Sequence, residues 1–527
     1  MSQNNCYPTT AHTDLDINNI RARLNNGGDL FWDLIGWAAY EVPINSGKHP
    51  LFASAIWIGG VDNSGQLKIA AQTYRQSGND YFAGPLDKNA NTDMQTCIDW
   101  DQMWKINKTT IDSFKLGLFG SIPKSILEWP AKDNPNNSLL SNFAGNEYAP
   151  FNDYNQDGKY DAKDGDYPKI LGDQAIWWIF NDAGNQHTET NGMAIGVEVH
   201  AMAFAYQGNQ VDNRTTFYQY NFINRSTVGL DEMYVSHWFD ADLGCHQDDY
   251  IGCDTTRDMA IVYNGDAFDQ QCGSNGYGSD PPILAISIVC GMRDNSGKHM
   301  GMSSFMTYRN DFTTQGNPVK PTEYFNYMKS IWKDNTHLTD GGNGYGGSKN
   351  VNYFFPSDPK DTTGWSECSL NNAPSDTRFL LSSGHVTFSP GDSKKITYAI
   401  VWNKPTGVYP CPSFSGIQSD VDKIKSAFNC YFYSGVDQNS FAYTETGLVI
   451  VNDPVNNLLL LKLTDEGNAF QEFELFDVSG RAIIKEQEMN SNTITLNTNA
   501  YYSGIFIYKA IDIRGDIRTG KVMIVNH

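Results

Sequence analysis

Apolar and polar residues alternate with a period of two through much of the first third of the chain, the spacing of half-buried strands rather than of helices. Ile20, Ala22 and Leu24 share one face, Asn25-Asn26-Gly27-Gly28 reads as a turn, and Leu30, Trp32 and Leu34 return, which predicts a hairpin. Ala55-Ile56-Trp57-Ile58, the turn Asp62-Asn63-Ser64-Gly65 and the alternating Leu67, Ile69 and Ala71 predict a second. Between about 100 and 130 the period loosens into short helical pieces ending at Trp129-Pro130. Longer strands are predicted over 175–180, 195–206, 215–223 and 233–239, and the unbroken apolar run 282–289 reads as a strand buried on both faces. Phe388, the turn Ser389-Pro390-Gly391-Asp392 and Ile396, Tyr398 and Ile400 predict a further hairpin. Helical spacing occurs over 321–332, through Tyr324, Tyr327, Met328 and Ile331, and over 415–429, through Ile417, Val421, Ile424 and Phe428. The glycine-rich stretch 341–347 lacks the Lys-Ser/Thr of a phosphate-binding loop and reads as a flexible loop.

These elements predict a mainly β protein with a large β-sandwich-rich body and a few short helices over 1–433, open to division into two subdomains near 130–170. A linker is expected over 434–444, around Ser434-Gly435-Val436-Asp437. The remaining stretch, 445–527, is all short strands with Gly480 and Gly504 at turns, the pattern of a small Ig-like β-sandwich. Composition narrows the partners. Sixty acidic residues against 38 basic ones give a net charge of −22, which repels nucleic acid and anionic membranes. Aromatics at 13% separate the chain from disordered acidic polymers. No apolar stretch is long enough for a transmembrane helix. The start, Met1 to Cys6, shows no signal peptide, as expected of a cytoplasmic protein or of a mature exported form. None of the nine cysteines forms a CxxC; Cys245–Cys253, Cys272–Cys290 and Cys411–Cys430 are the local pairs available for disulfides, against buried free thiols.

The strongest local motif runs from Asp153 to Asp164. Asp153, Asn155, Asp157, the Lys159 carbonyl, Asp161 and Asp164 fall at positions 1, 3, 5, 7, 9 and 12, with Gly158 at the sharp turn. Calcium takes six to eight hard oxygens, and this spacing wraps one segment around it. Asp164 stands where an EF-hand has Glu, as in dockerin-like loops, and Asp166 is a further available ligand. The alternative is an acidic turn without an ion. A second candidate cation site gathers Asp240, Asp242, Asp248 and Asp249, with Asp254, just after a predicted strand; its alternative is a solvated acidic loop. Two such carboxylates also suit glycosidase chemistry at the right separation. His187-Thr188-Glu189 and Glu198-Val199-His200 are not HExxH, and both histidines read as structural. With no Gly-x-Ser-x-Gly elbow and no cysteine-protease signature, no catalytic residue is assigned and the chain is expected not to be an enzyme.

The final segment resembles the type A C-terminal sorting domain of proteins exported by the type IX secretion system of the Bacteroidota. Three pieces carry the resemblance: Val451-Asn452-Asp453-Pro454-Val455-Asn456-Asn457, Phe473-Glu474-Leu475-Phe476-Asp477-Val478-Ser479-Gly480-Arg481, and Ser503-Gly504-Ile505-Phe506-Ile507-Tyr508 with Gly520-Lys521. The first departs from the family, which usually has Pro-Asn-Pro at 452–454. The resemblance implies a sorting signal through Pro454, Phe476, Asp477, Gly480, Arg481, Gly504, Tyr508, Gly520 and Lys521. It also implies the translocon and its outer-membrane shuttle protein as partners, and a secreted or cell-surface location. The body is similar to the large surface proteins that carry such domains, in runs such as Ile56-Trp57-Ile58-Gly59-Gly60, Tyr74-Arg75-Gln76-Ser77-Gly78-Asn79-Asp80 and Gly172-Asp173-Gln174-Ala175-Ile176-Trp177-Trp178. For the body it implies a place and not a chemistry. A structural or adhesive role with calcium-stabilised loops is expected, contacting surface glycans or other surface proteins; a glycan-binding module is the alternative, and a secreted hydrolase a third reading.

Overall fold

The computed structural model of the protein describes residues 6–143, 145–208, 211–273, 275–405, 409–428, 441–445, 448–453, 458–463, 468–477, 480–497, 501 and 504–524. The chain divides into two compact units, Met1–Asp422 and Lys423–His527. The division falls inside the helix Ser415–Phe428, ahead of the boundary expected at 433; most of the expected linker lies outside the described residues, and Phe441–Glu445 is already strand.

The first unit is built on two nine-stranded antiparallel sheets. One runs His12–Leu15, Arg21–Asn25, Asp29–Leu30, Ala53–Val61, Leu230–Asp240, Thr377–Phe388, Ser304–Arg309. The other runs Asp249–Asp254, Met259–Asn264, Ile283–Cys290, Ser393–Asn403, Thr215–Asn224, Val197–Ala205, Gln174–Asn181, Phe82–Ala83. Each sheet interleaves strands from before and after 130–170, so the unit has one shared core and no division there. Aromatic side chains fill the space between the sheets. Trp57 stacks on Trp238 with ring centroids 6.3 Å apart, and His237 of the first sheet meets Tyr398 of the second at 4.7 Å. Burial of these large side chains is the main source of stability, because apolar area removed from water scales with the driving force. The mainly β class is as the alternation predicts.

Both early hairpins form: Leu24 pairs with Leu30, and Ala53–Val61 pairs with Leu67–Ala70. Ile283–Cys290 is buried along its whole length. Three expectations are corrected. The turn at 389–392 does not close a hairpin. Thr377–Phe388 pairs with Leu230–Asp240 in the first sheet, and Ser393–Asn403 pairs with Thr215–Asn224 in the second, so the turn carries the chain from one sheet to the other. The expected helix 321–332 ends at Tyr327, because the backbone reverses at Ser330 in the left-handed region (φ 55°) and Ile331 bridges to His337. The glycine-rich loop is pinned rather than free: the Trp332 and Trp365 indoles donate to the Gly344 and Gly342 carbonyls at 2.9 and 3.0 Å.

The cysteine pairing also differs from the local pairs. Cys6 joins Cys97, Cys245 joins Cys272, and Cys368 joins Cys411; Cys253 is a buried free thiol, Cys290 is buried outside these three links, and Cys430 lies outside the described residues. Cys253 cannot reach Cys245 because it sits within a strand and its sulfur turns inward, 3.4 Å from the Phe354 carbonyl. Disulfides of this number are the usage of an oxidising compartment. Non-reducing peptide mapping is expected to recover the three links above; a Cys245–Cys253 link would contradict this register. Among the described residues no helix is long and apolar enough to cross a membrane.

The second unit is a β-sandwich of two four-stranded sheets. One holds Phe441–Glu445, Leu448–Asp453, Leu458–Leu463 and Thr493–Asn497, the other Ala482–Ser491, Phe470–Asp477, Gly504–Asp512 and Ile517–Ile524. Leu459, Leu461, Phe473, Leu475, Phe506 and Tyr508 form its core. Two of the quoted motif pieces acquire physical roles here. At the turn after Phe476, the Arg481 guanidinium donates to the Asp477 carboxylate at 3.1 Å and Gly480 takes a left-handed φ of 85°. Gly520 lies directly opposite Tyr508, whose ring covers it, and a Cβ at Gly520 would sit 2.6 Å from that ring. Gly520→Ala is therefore expected to destabilise this unit by about 1–3 kcal/mol, read from its own unfolding transition; an unchanged midpoint would refute the overlap. Pro454, Val478 and Ser479 lie outside the described residues.

Candidate metal centre

The loop 153–164 forms the turn its spacing predicts, with Gly158 left-handed at φ 78°. Its oxygens cap the loop's own backbone. Asp153 Oδ2 accepts from Gly158 N–H, Asp157 Oδ1 from Lys159 N–H, and Asp161 Oδ1 from Lys163 N–H, at 2.8–2.9 Å. Asp166, buried beside them, accepts from the Tyr154 and Asp161 amides. Burial, then the nearby Asp153 and Asp157 charges, raise the Asp166 pKa against those amide bonds. Asp153 Oδ1 is buried without a partner. No three carboxylates of this loop come within 4.8 Å of one another; among the described residues that geometry is met by Asp240, Asp242 and Asp376.

That second group is assembled by strand register. Asp240 ends the strand Leu230–Asp240 directly opposite Arg378, the second residue of Thr377–Phe388, and Asp376 immediately precedes that strand. The Arg378 guanidinium bonds Asp240 Oδ2 at 3.1 Å and also pairs with Asp376 Oδ1. The Tyr74 hydroxyl donates to Asp240 Oδ2 at 2.5 Å and accepts from Arg378 Nε at 2.9 Å. Asp376 Oδ2 takes a bond from the Asn310 amide. With all three carboxylates ionised, one guanidinium would leave a local charge of −2, an excess that burial works against. Asp240 Oδ1 and Asp242 Oδ1 are buried with no hydrogen-bond partner, although buried carboxylate oxygens are normally satisfied. Burial, reinforced by the charges of Asp240 and Asp376, pushes the Asp242 carboxyl well above the ordinary range; burial likewise raises Asp240, with the Arg378 charge opposing. Hard oxygens and a deficit of positive charge are what a calcium or magnesium ion complements, and the absence of thiolate or imidazole from the set disfavours zinc.

Of the four residues expected to gather, Asp240 and Asp242 do so. Asp248 and Asp249 sit at the hairpin held by Cys245–Cys272 and are not members of the group. There Asp249 Oδ2 accepts from Leu243 N–H, and burial raises Asp248 and Asp269 each to about 6. Asp254 pairs instead with Arg257. Sequence reasoning missed Asp376, Arg378 and Tyr74. The signal available for Tyr74 was the run 74–80, which stitches the body together: the Arg75 fork clasps Asp29 at 2.6–3.1 Å, and Asp80 accepts from Ala71 N–H and the Thr190 hydroxyl. A Cβ on Gly78 would overlap the Thr188 backbone.

The two histidine motifs are structural. His187 is buried between the Ile69 and Asp182 carbonyls. Glu198 and His200 share one face of a strand and bond at 2.8 Å, with Arg225 on the same carboxylate oxygen.

No family model matches this chain, and no curated protein matches it. Among solved structures, the chain is similar to a DUF3244-family protein with an immunoglobulin-like β-sandwich fold from Bacteroides vulgatus, at 15% identity over 15% of this chain and 82% of that one, with a TM-score of 0.13. It is also similar to a polysaccharide lyase at 8% identity over 62% of this chain, with a TM-score of 0.17; the chain spans about a third, 34%, of that lyase's length.

Proposed function

We propose that this chain is a secreted cell-surface protein with a structural or adhesive role, exported by the type IX system through its C-terminal sandwich and stabilised by calcium in its body. The observation that carries the reading is the second unit. It has a core of its own, and Asp477, Gly480, Arg481, Tyr508 and Gly520 build its turn and its glycine–tyrosine contact. A compact module with a core of its own is the kind of surface an export machine can read without engaging the cargo. Three disulfides in the body support maturation outside the cytoplasm. The acidic groups are ion ligands and not an acid–base pair in this reading, since Asp240 and Asp376 are both engaged by Arg378. In a host with a working type IX system, the full chain is expected at the cell surface and a chain lacking 445–527 in the periplasm. Equal surface display of the two would refute the sorting role.

A further inference from the structure

Of the three carboxylates in the acidic group, Asp242 is the least secured. Arg378 grips Asp240 and Asp376, whereas among the described residues no hydrogen bond or ion pair holds the Asp242 carboxylate. Its aim is therefore set by its backbone. Asp242 lies in the stretch 241–248, which forms no strand and carries the chain from Leu230–Asp240 in the first sheet to Asp249–Asp254 in the second. Three amides anchor this crossing. Leu243 N–H donates to Asp249 Oδ2 at 2.8 Å, Gly244 N–H to the His49 carbonyl at 3.0 Å, and Cys245 N–H to Asp269 Oδ1 at 3.0 Å. Its covalent anchor is Cys245–Cys272, three residues from Asp242. Cys272 and Asp269 both belong to the excursion between Met259–Asn264 and Ile283–Cys290, so the disulfide ties the crossing to the segment that supplies the acceptor for Cys245.

We propose that oxidation completes the metal centre: Cys245–Cys272 fixes Asp242 beside Asp240 and Asp376, and the chain binds calcium more tightly once this disulfide has formed. The inference rests on the calcium reading above and adds its regulation. Asp240 is 2% exposed and its Oδ1 has no partner, which marks a ligand position apart from the acidity of the group. Three carboxylates with oxygens within 4.8 Å repel one another before an ion arrives. Asp240 and Asp376 are kept in place by the guanidinium, while Asp242 turns away unless the crossing is held. Ala241 and Leu243 sit in the core, so reduction loosens the crossing without unfolding it. Cys272 is half-buried between the exposed Gln271 and Gly273, within reach of a small thiol. In the exchange, two glutathione thiols give up two electrons and two protons as they join in one disulfide, and Cys245–Cys272 takes them up to become two thiols. In a reducing cytoplasm the centre thus stays open, and in an oxidising compartment it closes and takes the ion. The coupling is reciprocal: calcium shifts this exchange toward the protein disulfide by the factor by which the disulfide raises calcium affinity.

Calorimetric titration of the chelated full chain with calcium is expected to give an affinity at least about tenfold weaker in Cys245→Ser/Cys272→Ser, the cost of losing the support behind a metal ligand. Cys6→Ser/Cys97→Ser, whose disulfide lies in a separate apolar cluster, should bind calcium like the unaltered protein. A second measurement needs no variant. In glutathione buffers, saturating calcium should raise the disulfide-bonded fraction of Cys245 and Cys272, read by alkylation and peptide mapping, and leave that of Cys6 and Cys97 unmoved. Equal calcium affinity with and without Cys245–Cys272, a loss as large in Cys6→Ser/Cys97→Ser, or a glutathione equilibrium that calcium does not move would each overturn the coupling and leave the calcium reading standing. Failure of the oxidised, unaltered chain to bind calcium would overturn both.

Discussion

Replacing Arg378 by alanine is expected to cost the body about 3–5 kcal/mol in chemical denaturation, the range for breaking a buried ion pair from one side. The guanidinium is 7% exposed and bonds Asp240, Asp376 and the Tyr74 hydroxyl at once. Its removal leaves three carboxylates facing one another, of which Asp240 is buried and already carries an unbonded oxygen. The penalty is desolvation without compensation, so it should exceed that of Arg257→Ala, whose partners Asp254 and Asp422 reach solvent. Arg378→Lys keeps the charge but not the fork, and should fall between the two. Equal midpoints for Arg378→Ala and the unaltered protein would remove the electrostatic account of this site. Calcium should restore part of the loss in Arg378→Ala, since it supplies the missing positive charge at the same oxygens.

The second large effect is on the unaltered protein. After chelation, calcium at a hundred times its dissociation constant is expected to raise the stability of the body by about 2.7 kcal/mol. Asp242→Asn should abolish most of this if the group with Asp376 is the site, whereas Asp157→Ala should abolish it if the loop 153–164 is. Unchanged binding heats after both substitutions would sink both assignments. The dependence on pH has a definite sign. Burial raises Asp248 and Asp269 to about 6 and Asp242 above the ordinary range, so the fold prefers their protonated forms. The contribution of Asp248 and Asp269 is complete below about pH 4 and is lost as pH rises through 6. The chelated protein should therefore lose stability from Asp248 and Asp269 between about pH 4 and pH 6. With calcium bound the share due to Asp242 disappears, because the ion favours the carboxylate. Glu198 opposes the trend: its own burial is outweighed by bonds and charges from His200 and Arg225, its pKa is lowered, and its contribution is lost as pH falls.

What the sequence carried and what it did not follow from the range of the interactions involved. Period two identified strands such as Arg21–Asn25 and the second half of Thr215–Asn224, whose burial alternates, and the Gly-rich turn between Leu24 and Leu30 fixed a hairpin locally. The same period could not say which strand pairs with which. Thr377–Phe388 and Ser393–Asn403 are joined by a short turn and still enter different sheets, because each buries its face against the other sheet. The acidic centre was half legible for the same reason: Asp240 and Asp242 are neighbours in the chain, but Asp376 and Arg378 reach them only through strand register. Cysteine spacing misled because side-chain direction in a strand, not distance along the chain, sent Cys253 into the core and left Cys245 to Cys272.

The strand order also sets a timetable. Leu230–Asp240 lies between Ala53–Val61 and Thr377–Phe388, so the centre of the first sheet cannot close until residues near 388 are available. Ser393–Asn403, at the centre of the second sheet, arrives later still. Nearly the whole body must therefore be synthesised or delivered before both sheets are complete, with apolar strands such as Ile283–Cys290, already able to pair with Met259–Asn264, waiting for their second neighbour Ser393–Asn403. A chain built this way folds late and as a whole, and it depends on being kept apart from other copies until its last strand is in place.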